Sequence, residues 1–317
     1  MTATIVDNQI GFAEETTYGT RVAPTRFLEF VSEGIARQEN FRTSAGLRKG
    51  RKVLRSVNQS ALNKGAAGPI VMDLGLNGFS MILKHLFGKA PVITGTGPYI
   101  HTFTLSDGTG LSLTTQIGKP GSASPIVIQP HDFYGCKITD GTISQALDAY
   151  AQLQLGIDAN QDVTNQTLAT ASYPAAQEFI HDGELSITVN STAFNPKGAS
   201  CKIDRNLDLG RYFARSSTLK KEPLVQGLSP VTGSFEGEFE DWTTYNLFTA
   251  NTIVPIVFTW TGTTGSLVLT MPACRLEGPM PVTSKPGILD ASTPFTVLYD
   301  GTNEPITAVY TTTDAAI

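Results

Sequence analysis

The chain has 317 residues, which is enough for two domains of ordinary size, each able to bury its own core. Charged residues make up 16% of the chain, well below the roughly 25% of an average soluble protein, as expected of a subunit that buries surface against neighbours. The formal charge of −5 argues against binding nucleic acid by general attraction to phosphates. No run of residues is apolar enough to cross a bilayer, so we expect no membrane partner.

The three cysteines, Cys136, Cys201 and Cys274, form neither a CxxC pair nor a cysteine and histidine cluster. We therefore predict no metal, no disulfide and no cofactor, and we interpret the three as buried free thiols. The first residues lack the basic start and apolar core of a secretion signal. A reducing cytoplasm is the expected place of synthesis and assembly.

Residues 1–25 show no clear period, and they are predicted to form an extended arm ahead of the first strand. Their few large apolar or aromatic residues, which include Ile5, Ile10, Phe12 and Tyr18, are too few to form a core alone. We expect these side chains either to stay mobile or to dock on another subunit.

A basic segment follows the first predicted strand, with cations at Arg42, Arg48, Lys49, Arg51 and Lys52. A run of charges is usually a solvated face. The alternative is a long hairpin loop that projects towards an acidic region of a neighbouring subunit. Nucleic-acid binding is a third interpretation, disfavoured because the segment lacks the interleaved aromatic residues of a stacking surface.

The remainder of the first predicted domain, 26–158, combines strands with one helix. Alternating residues predict strands, and Leu76, Phe79, Leu83 and Leu86 at helical spacing predict a helix over residues 78–87. After it, the stretch 103–115 has the alternation, glycine turn and second alternation of a β-hairpin. A polar stretch at 159–180 is predicted to be a linker.

The second predicted domain, 181–317, repeats this order. It has a strand, a basic loop with Arg205, Arg211 and Arg215, another strand, a short helix carrying Trp242, and a hairpin at 256–270. The stretch 258–270 matches 103–115 in pattern, and Cys274 matches Cys136. We interpret the fold as mainly β, with two tandem β-sandwich or β-barrel domains, each with one flanking helix and one long projecting loop.

No catalytic arrangement is recognisable. The four histidines are not spaced as metal ligands, and the GxSxG, P-loop and HExxH motifs are absent. Glu236, Glu238 and Glu240 suggest a cation site or a carboxylate pair, but alternation places them on one face of a strand. We therefore interpret them as a solvated or lumen-lining face, and we predict that the protein is not an enzyme.

Several phrases of the sequence resemble the tail tube proteins of long-tailed bacteriophages (siphophages). The first is EETTYGTRVAPTRFLEFVSEGI at Glu14 to Ile35, followed by GLRKGR and GPIVMDL. The second half adds GSFEGEFEDWTTYNLF and MPACRLEGPMPVTSKPGILDASTPFTVLY. The resemblance extends over nearly the whole chain.

This resemblance implies rings of subunits, joined by sheets that continue around a lumen, which stack into a tube that conducts DNA. Most members have one domain and six subunits per ring, so two domains per chain favour three chains, with a ring of six chains as the alternative. The implied partners are further copies of the chain, the tape-measure, tail-tip and tail-terminator proteins, and DNA in transit. The implied location is the virion tail.

Two other functions remain as alternatives. A carbohydrate-binding or adhesin-like β-module on a virion needs exposed aromatic side chains, for which Trp242 and Trp260 are the tryptophan candidates. A β-rich hydrolase is the third interpretation, although the chain supplies no recognisable catalytic set.

Overall fold

The computed structural model describes residues 5–121, 127–174, 177–215, 217–278, 281 and 286–317. The protein is mainly β, as the sequence predicts. The first half contains β1 (Gln9–Glu14), β2 (Arg26–Leu28), β3 (Ser32–Glu33), β4 (Ala36–Thr43), β5 (Gln59–Asp73), α1 (Ser80–Phe87), β6 (Val92–Thr94), β7 (Tyr99–Thr104), β8 (Leu113–Pro120), β9 (Ile128–Ala146), β10 (Gln152–Ala159) and β11 (Gln161–Val163). The second half contains β12 (Leu185–Val189), β13 (Thr192–Phe194), β14 (Gly198–Asp204), β15 (Val231–Glu238), α2 (Thr243–Thr249), β16 (Ile253–Thr261), β17 (Ser266–Leu276), β18 (Asp290–Val297) and β19 (Thr307–Thr312).

The long strand β9 organises the first half, because it takes part in two antiparallel ladders. Its C-terminal part pairs with β10, which pairs with β5, and β5 carries β3 and β4 on its other side. Its N-terminal part pairs with β8 and β11, and β8 continues through β1 to β2. Buried apolar side chains from both ladders belong to one hydrophobic core.

The second half repeats this scheme with β17 in the place of β9. One ladder runs from β17 through β18 and β15 to β14, and the other runs through β16 and β12 to β13, with β19 on the opposite side of β17. The strands β6 and β7, between α1 and β8, have no counterpart between α2 and β16. The shared pairing scheme supports two copies of one β-unit.

The strand registers make the correspondence residue by residue. Leu113 lies opposite Cys136 and Val254 lies opposite Cys274, and in both ladders the register shifts directly afterwards. Each thiol donates to the carbonyl three residues earlier, that of Phe133 at 3.4 Å for Cys136 and that of Met271 at 3.6 Å for Cys274. The two cysteines therefore occupy equivalent core positions, and burial raises the pKa of each thiol to about 12.

The predicted hairpin at residues 103–115 is wrong, whereas the one at 256–270 is present as β16 and β17. In the first half β7 pairs with β6 and β19, while β8 pairs with β1 and β9. The segment between β7 and β8 instead passes the end of α1, where the Ser106 amide donates to the Phe87 carbonyl. The true counterpart of the second-half hairpin is the pair β8 and β9.

The helix predicted over residues 78–87 is present as α1, and it ends at Gly88 in the left-handed conformation with φ of 79°. The shorter second helix is also present, although Trp242 lies just before its first residue. The Asp241 carboxylate accepts a hydrogen bond from the Thr243 amide, as expected at a helix start.

The halves are joined by more than a linker. β14 of the second half pairs with β9 of the first, and β19 pairs with β7. One hydrophobic core runs through both halves. Two parts of the predicted division differ in the structure: within the arm, β1 is an ordered strand between β2 and β8, and within the linker, β11 pairs with β9. The domain boundaries at 26–158 and 181–317 stay predictions.

Candidate assembly surfaces

The junction between the halves shows how one β-unit docks on the next. β14 lies antiparallel to the C-terminal part of β9, from Asp204 opposite Asp140 to Gly198 opposite Ala146. One sheet therefore continues from β3 and β4 through β5, β10, β9, β14, β15 and β18 to β17. The described part of the second-half loop that follows β14, residues 205–215 and 217–230, folds back onto the first half.

Arg205 anchors this loop at the C-terminal end of α1. Its guanidinium donates to the carbonyls of His85 at 3.1 Å, Leu86 at 2.8 Å and Ser106 at 2.7 Å. The last carbonyls of a helix have no partner within it and carry the negative end of its dipole. Arg205 is 2% exposed, so this cation is buried inside the chain.

Two ion pairs continue the same contact. Lys220 of the loop pairs with Asp158 of β10, and both side chains are only 4% exposed. Lys137 of β9 pairs with Glu222 of the loop at 2.5 Å. Burial raises the pKa of the Asp158 carboxyl and lowers that of the Lys137 ammonium, because each charge has left water for the junction.

The other second-half cations predicted to contact another subunit also have partners in this loop. Arg211 donates to the Glu222 carbonyl, and Arg215 donates to the Leu219 carbonyl at 2.8 Å. Arg205 in particular differs from the prediction, since it joins the two halves of one chain. Sequence reasoning found the cation but had no signal for the neighbouring helix end.

The first-half basic segment is arranged differently. It is the tip of the hairpin formed by β4 and β5, and Arg42, Arg48, Lys49, Arg51 and Lys52 are all exposed. Among the described residues, none of these five cations forms a salt bridge. The tip also exposes apolar side chains, including Leu47, Val53 and Val57. Grouped exposed apolar residues mark contact surfaces.

The arm residues are held within the chain. Ile10 and Phe12 on β1 are fully buried in its own core, so these two side chains are not free to contact a neighbour as expected. Tyr18 packs against Gly135, and burial raises the pKa of its phenol. Ile5 begins a short 3-10 helix at Ile5–Asp7, and its side chain lies outside the described structure.

The three lumen-facing candidates are exposed, as a solvated face requires. Glu236 and Glu238 lie on β15 with one residue between them, and Glu240 lies just beyond its end. Glu236 accepts a hydrogen bond from Ser292 at 3.0 Å, and Glu238 pairs with Lys197 at 3.0 Å. Whether this face lines a lumen stays a prediction.

One serine and one histidine lie together, as in many hydrolases. Ser80 and the Nδ1 atom of His101 are 2.7 Å apart, while Nε2 of His101 is 3.0 Å from the Asp314 carbonyl oxygen. Both side chains are buried, at 2% and 0% exposure, so no substrate reaches the pair. Burial lowers the pKa of His101. The pair fixes α1 to β7 and to the end of the chain.

The two tryptophans differ in exposure. Trp260 is fully buried in the core, which removes it as a sugar platform. Trp242 is 44% exposed and makes edge-to-face contacts with Phe239 and Tyr245. These three residues lie at the N-terminal end of α2, beside a cavity of about 440 Å³.

The described part of the chain contains no group of three histidine, cysteine or acidic side chains able to hold a metal ion. It also contains no helix of sufficient length and hydropathy to span a membrane.

A sequence model described as phage tail tube protein matches residues 6–297. The chain belongs to the phage tail tube protein family. No curated protein matches it. Membership makes the chain a structural component of the virion tail, with a non-enzymatic role, that assembles with itself into a tube and associates with other tail proteins.

Proposed function

We propose that three copies of this tail tube protein close into a ring, in which six quasi-equivalent β-units surround a lumen, and that the rings stack. The observation that carries this proposal is the junction inside the chain. There, the β14 edge of one unit completes the sheet of the unit before it.

The first-half edge equivalent to β14 is open. β3 and β4 pair with β5 as β14 pairs with β15: Ser32 lies opposite Val71, and Gly198 lies opposite Glu236. On their other side, β3 and β4 pair with no strand among the described residues. An unpaired edge invites a strand of another chain, and a closed ring covers every such edge.

The partner in this contact is the second half of a neighbouring copy. Within the chain, β14 lies on residues 140–146 of β9, and the β17 positions equivalent to these begin at Gly278. Most of these equivalent positions lie outside the described residues, whereas the β3 and β4 side of the contact lies within them. Because each contact joins a first half to a second half, the copies assemble head to tail, and three chains provide six units.

The exposed basic hairpin tip provides a contact between stacked rings. Its cations form no salt bridge with any described residue, and the chain has a net charge of −5. Attraction between opposite charges favours docking on an acidic surface of the next ring. Repulsion between an acidic lumen and phosphates lets DNA pass without adhering. Assembly takes place in the host cytoplasm, and the ends of the tube meet the tape-measure, tail-tip and tail-terminator proteins.

Electron microscopy of the purified chain tests the proposal, with three-fold rings or stacked tubes as the expected result. Proline at Ala36 and proline at Arg37 form a matched pair of variants. Along β4 the backbone amides point alternately towards β5 and away from it. Because proline has no backbone N–H, one of the two substitutions removes a hydrogen bond to β5, and the other removes an amide that points towards the neighbouring copy and leaves the hydrogen bonds to β5 intact. The variant that loses only the amide facing the neighbouring copy is expected to fold as a monomer with the circular dichroism spectrum of the wild type and to form no rings. Rings of six chains, or rings unaffected by either proline, overturn the proposal.

A further inference from the structure

A short segment that spans the end of the predicted linker and the start of the second predicted domain fills a slot at the end of the first half. Residues 178–182 run between the chain after β5 and the chain before β10, where Phe179 bridges to Gly75 and His181 bridges to Tyr150. Ile180 donates to the Leu74 carbonyl at 3.0 Å and accepts from the Ala151 amide at 2.8 Å. The Ile180 side chain is fully buried.

The second half contains the same slot. The Leu74 amide donates to the Ala151 carbonyl at 2.7 Å, and the Phe239 amide donates to the Leu289 carbonyl at 2.8 Å. Phe239 directly follows β15 as Leu74 follows β5, and Leu289 precedes β18 as Ala151 precedes β10. The Phe239 carbonyl and the Leu289 amide are thus the counterparts of the groups that hold Ile180.

This second slot is open in the described part of the chain. No described backbone segment donates to the Phe239 carbonyl or accepts from the Leu289 amide there. Leu74, Leu76 and Ala151 around the first slot are fully buried, whereas Ile288 beside the second slot is 70% exposed. The cavity of about 440 Å³ lies against the second slot and is lined by Phe239, Glu240 and Asp241.

The repeat identifies the segment that fits the second slot. A 3-10 helix at Asp182–Glu184 leads into β12, and another at Ile5–Asp7 leads into β1. Phe12 of β1 lies opposite Thr115, and Val189 of β12 lies opposite Ile256, which are equivalent positions of the two ladders. The first 3-10 helix begins seven residues before Phe12, and the second begins seven residues before Val189. Residues 178–181 therefore correspond to residues 1–4, the segment that precedes the first half.

We propose that residues 1–4 of a neighbouring copy enter the open slot of the second half, between the chain at 239–241 and the chain at 287–289. This inference deepens the proposed ring and rests on its head-to-tail order. In that order, the segment leading into each unit inserts into the unit before it. The N-terminal segment thereby becomes an intermolecular strand.

The backbone contacts of the first slot support this occupant. The carbonyl of Glu178 accepts from the Leu76 amide in the first half, and the counterpart of this contact joins residue 1 to Asp241. The entering segment is therefore expected to meet the Asp241 amide as well as the Phe239 carbonyl and the Leu289 amide, the three groups whose counterparts hold residues 178–180.

Disulfide trapping tests the register. Because His181 bridges to Tyr150, residue 4 of one copy is expected opposite Ile288 of the next, at a separation that a disulfide tolerates. Chains carrying only Thr4→Cys are mixed with chains carrying only Ile288→Cys before assembly, then oxidised. The native cysteines are buried and do not compete. The expected result is a shift on a non-reducing gel from the mass of one chain to that of two, in the mixture alone.

The matched control replaces Ile288→Cys with Tyr150→Cys, the equivalent position at the slot that this chain already fills. Tyr150 is also exposed, at 53%, so accessibility is similar, and no shift is expected. Rings in the micrographs without a cross-linked pair overturn this inference and leave the proposed function standing. Absence of rings from the wild-type chain overturns both. If the double variant Thr4→Cys with Ile288→Cys loses two thiols at single-chain mass, the slot takes the chain's own terminus, which also overturns the inference.

Discussion

The two halves share one strand-pairing scheme but differ sharply in how their helices are covered. Seven of the eight residues of α1 are buried, whereas none of the residues of α2 is buried. α1 packs against β9 and β7, and the loop that carries Arg205 covers its C-terminal end. The helix of the first half is thus covered within one chain, whereas the helix of the second half has no such cover among the described residues.

The two basic loops differ in the opposite sense. The second-half loop lies on the first half through Arg205 and the Lys220 pair with Asp158. The first-half hairpin tip is exposed over residues 43–57. If the units are quasi-equivalent, the contacts made inside the chain indicate the kind of contact that neighbouring copies make with each other. The following predictions compare a covered surface with its uncovered counterpart.

The largest effect is expected at the buried ion pair of the internal junction. Lys220→Met leaves the Asp158 carboxylate without its partner, which costs about 3–5 kcal/mol of unfolding free energy. Urea denaturation measures it. The double variant with Asp158→Asn is expected to recover part of the loss, because no buried charge then remains. Lys202→Ala removes a far more exposed pair with Asp140 and is expected to change the stability by less than about 1 kcal/mol. Similar losses in both single variants contradict this account of the junction.

The next effect compares the two helices. Leu83 of α1 is fully buried, so Leu83→Ala is expected to cost about 2–5 kcal/mol in the isolated chain. Leu247 of α2 is only half-buried, so Leu247→Ala is expected to cost less than about 2 kcal/mol. Thermal denaturation of each variant, first as monomers and then as assembled rings, measures how the cost of each substitution changes on assembly. Assembly should increase the cost at Leu247 alone, and an equal increase at both leucines argues against a neighbour covering α2.

The equivalence of Cys136 and Cys274 was predictable from the sequence, because each lies in a short strand motif that follows an alternating segment in the same order of motifs. The pairing of the strands around residues 103–115 was not predictable, because alternation shows that a strand is half-buried but does not show which strand it pairs with. β6 and β7 are an insertion ahead of β8, and β7 pairs with β6 and β19 instead of β8. The local pattern of 103–115 is nevertheless almost that of the true hairpin.

The basic loops show a second limit of sequence reasoning. Arg42 and Arg205 both lie in basic segments after a strand, so composition alone predicts the same role for both, a contact with another subunit. Arg205 is buried because β14 pairs with β9, which brings the loop to the end of α1. A contact of this kind depends on residues about 120 positions apart in the chain, and local pattern carries no information on it.

The smallest effect concerns acid stability, where the halves differ again. Hydrogen bonds from His85 and Lys84 lower the pKa of Glu14, on β1, from 4.5 to about 2. Because the folded-state pKa is depressed, this carboxylate stabilises the fold fully above about pH 4.5, and the contribution disappears as the pH falls to about 2. The second half has Ser191 at the equivalent position and lacks such a group.

Glu14→Gln is therefore expected to lower the stability at pH 6 by a modest amount and to converge with the wild type near pH 2. Denaturant titrations across this range measure the difference. Glu277→Gln is the matched control in the second half: Arg275 and Thr296 lower the pKa of Glu277, but solvent screens this exposed carboxylate, so the expected change is smaller. A difference for Glu14→Gln that does not vary with pH shows that Glu14 acts through packing rather than charge. In that case the contact between β1 and α1 holds the first half together without any contribution from its ionisation.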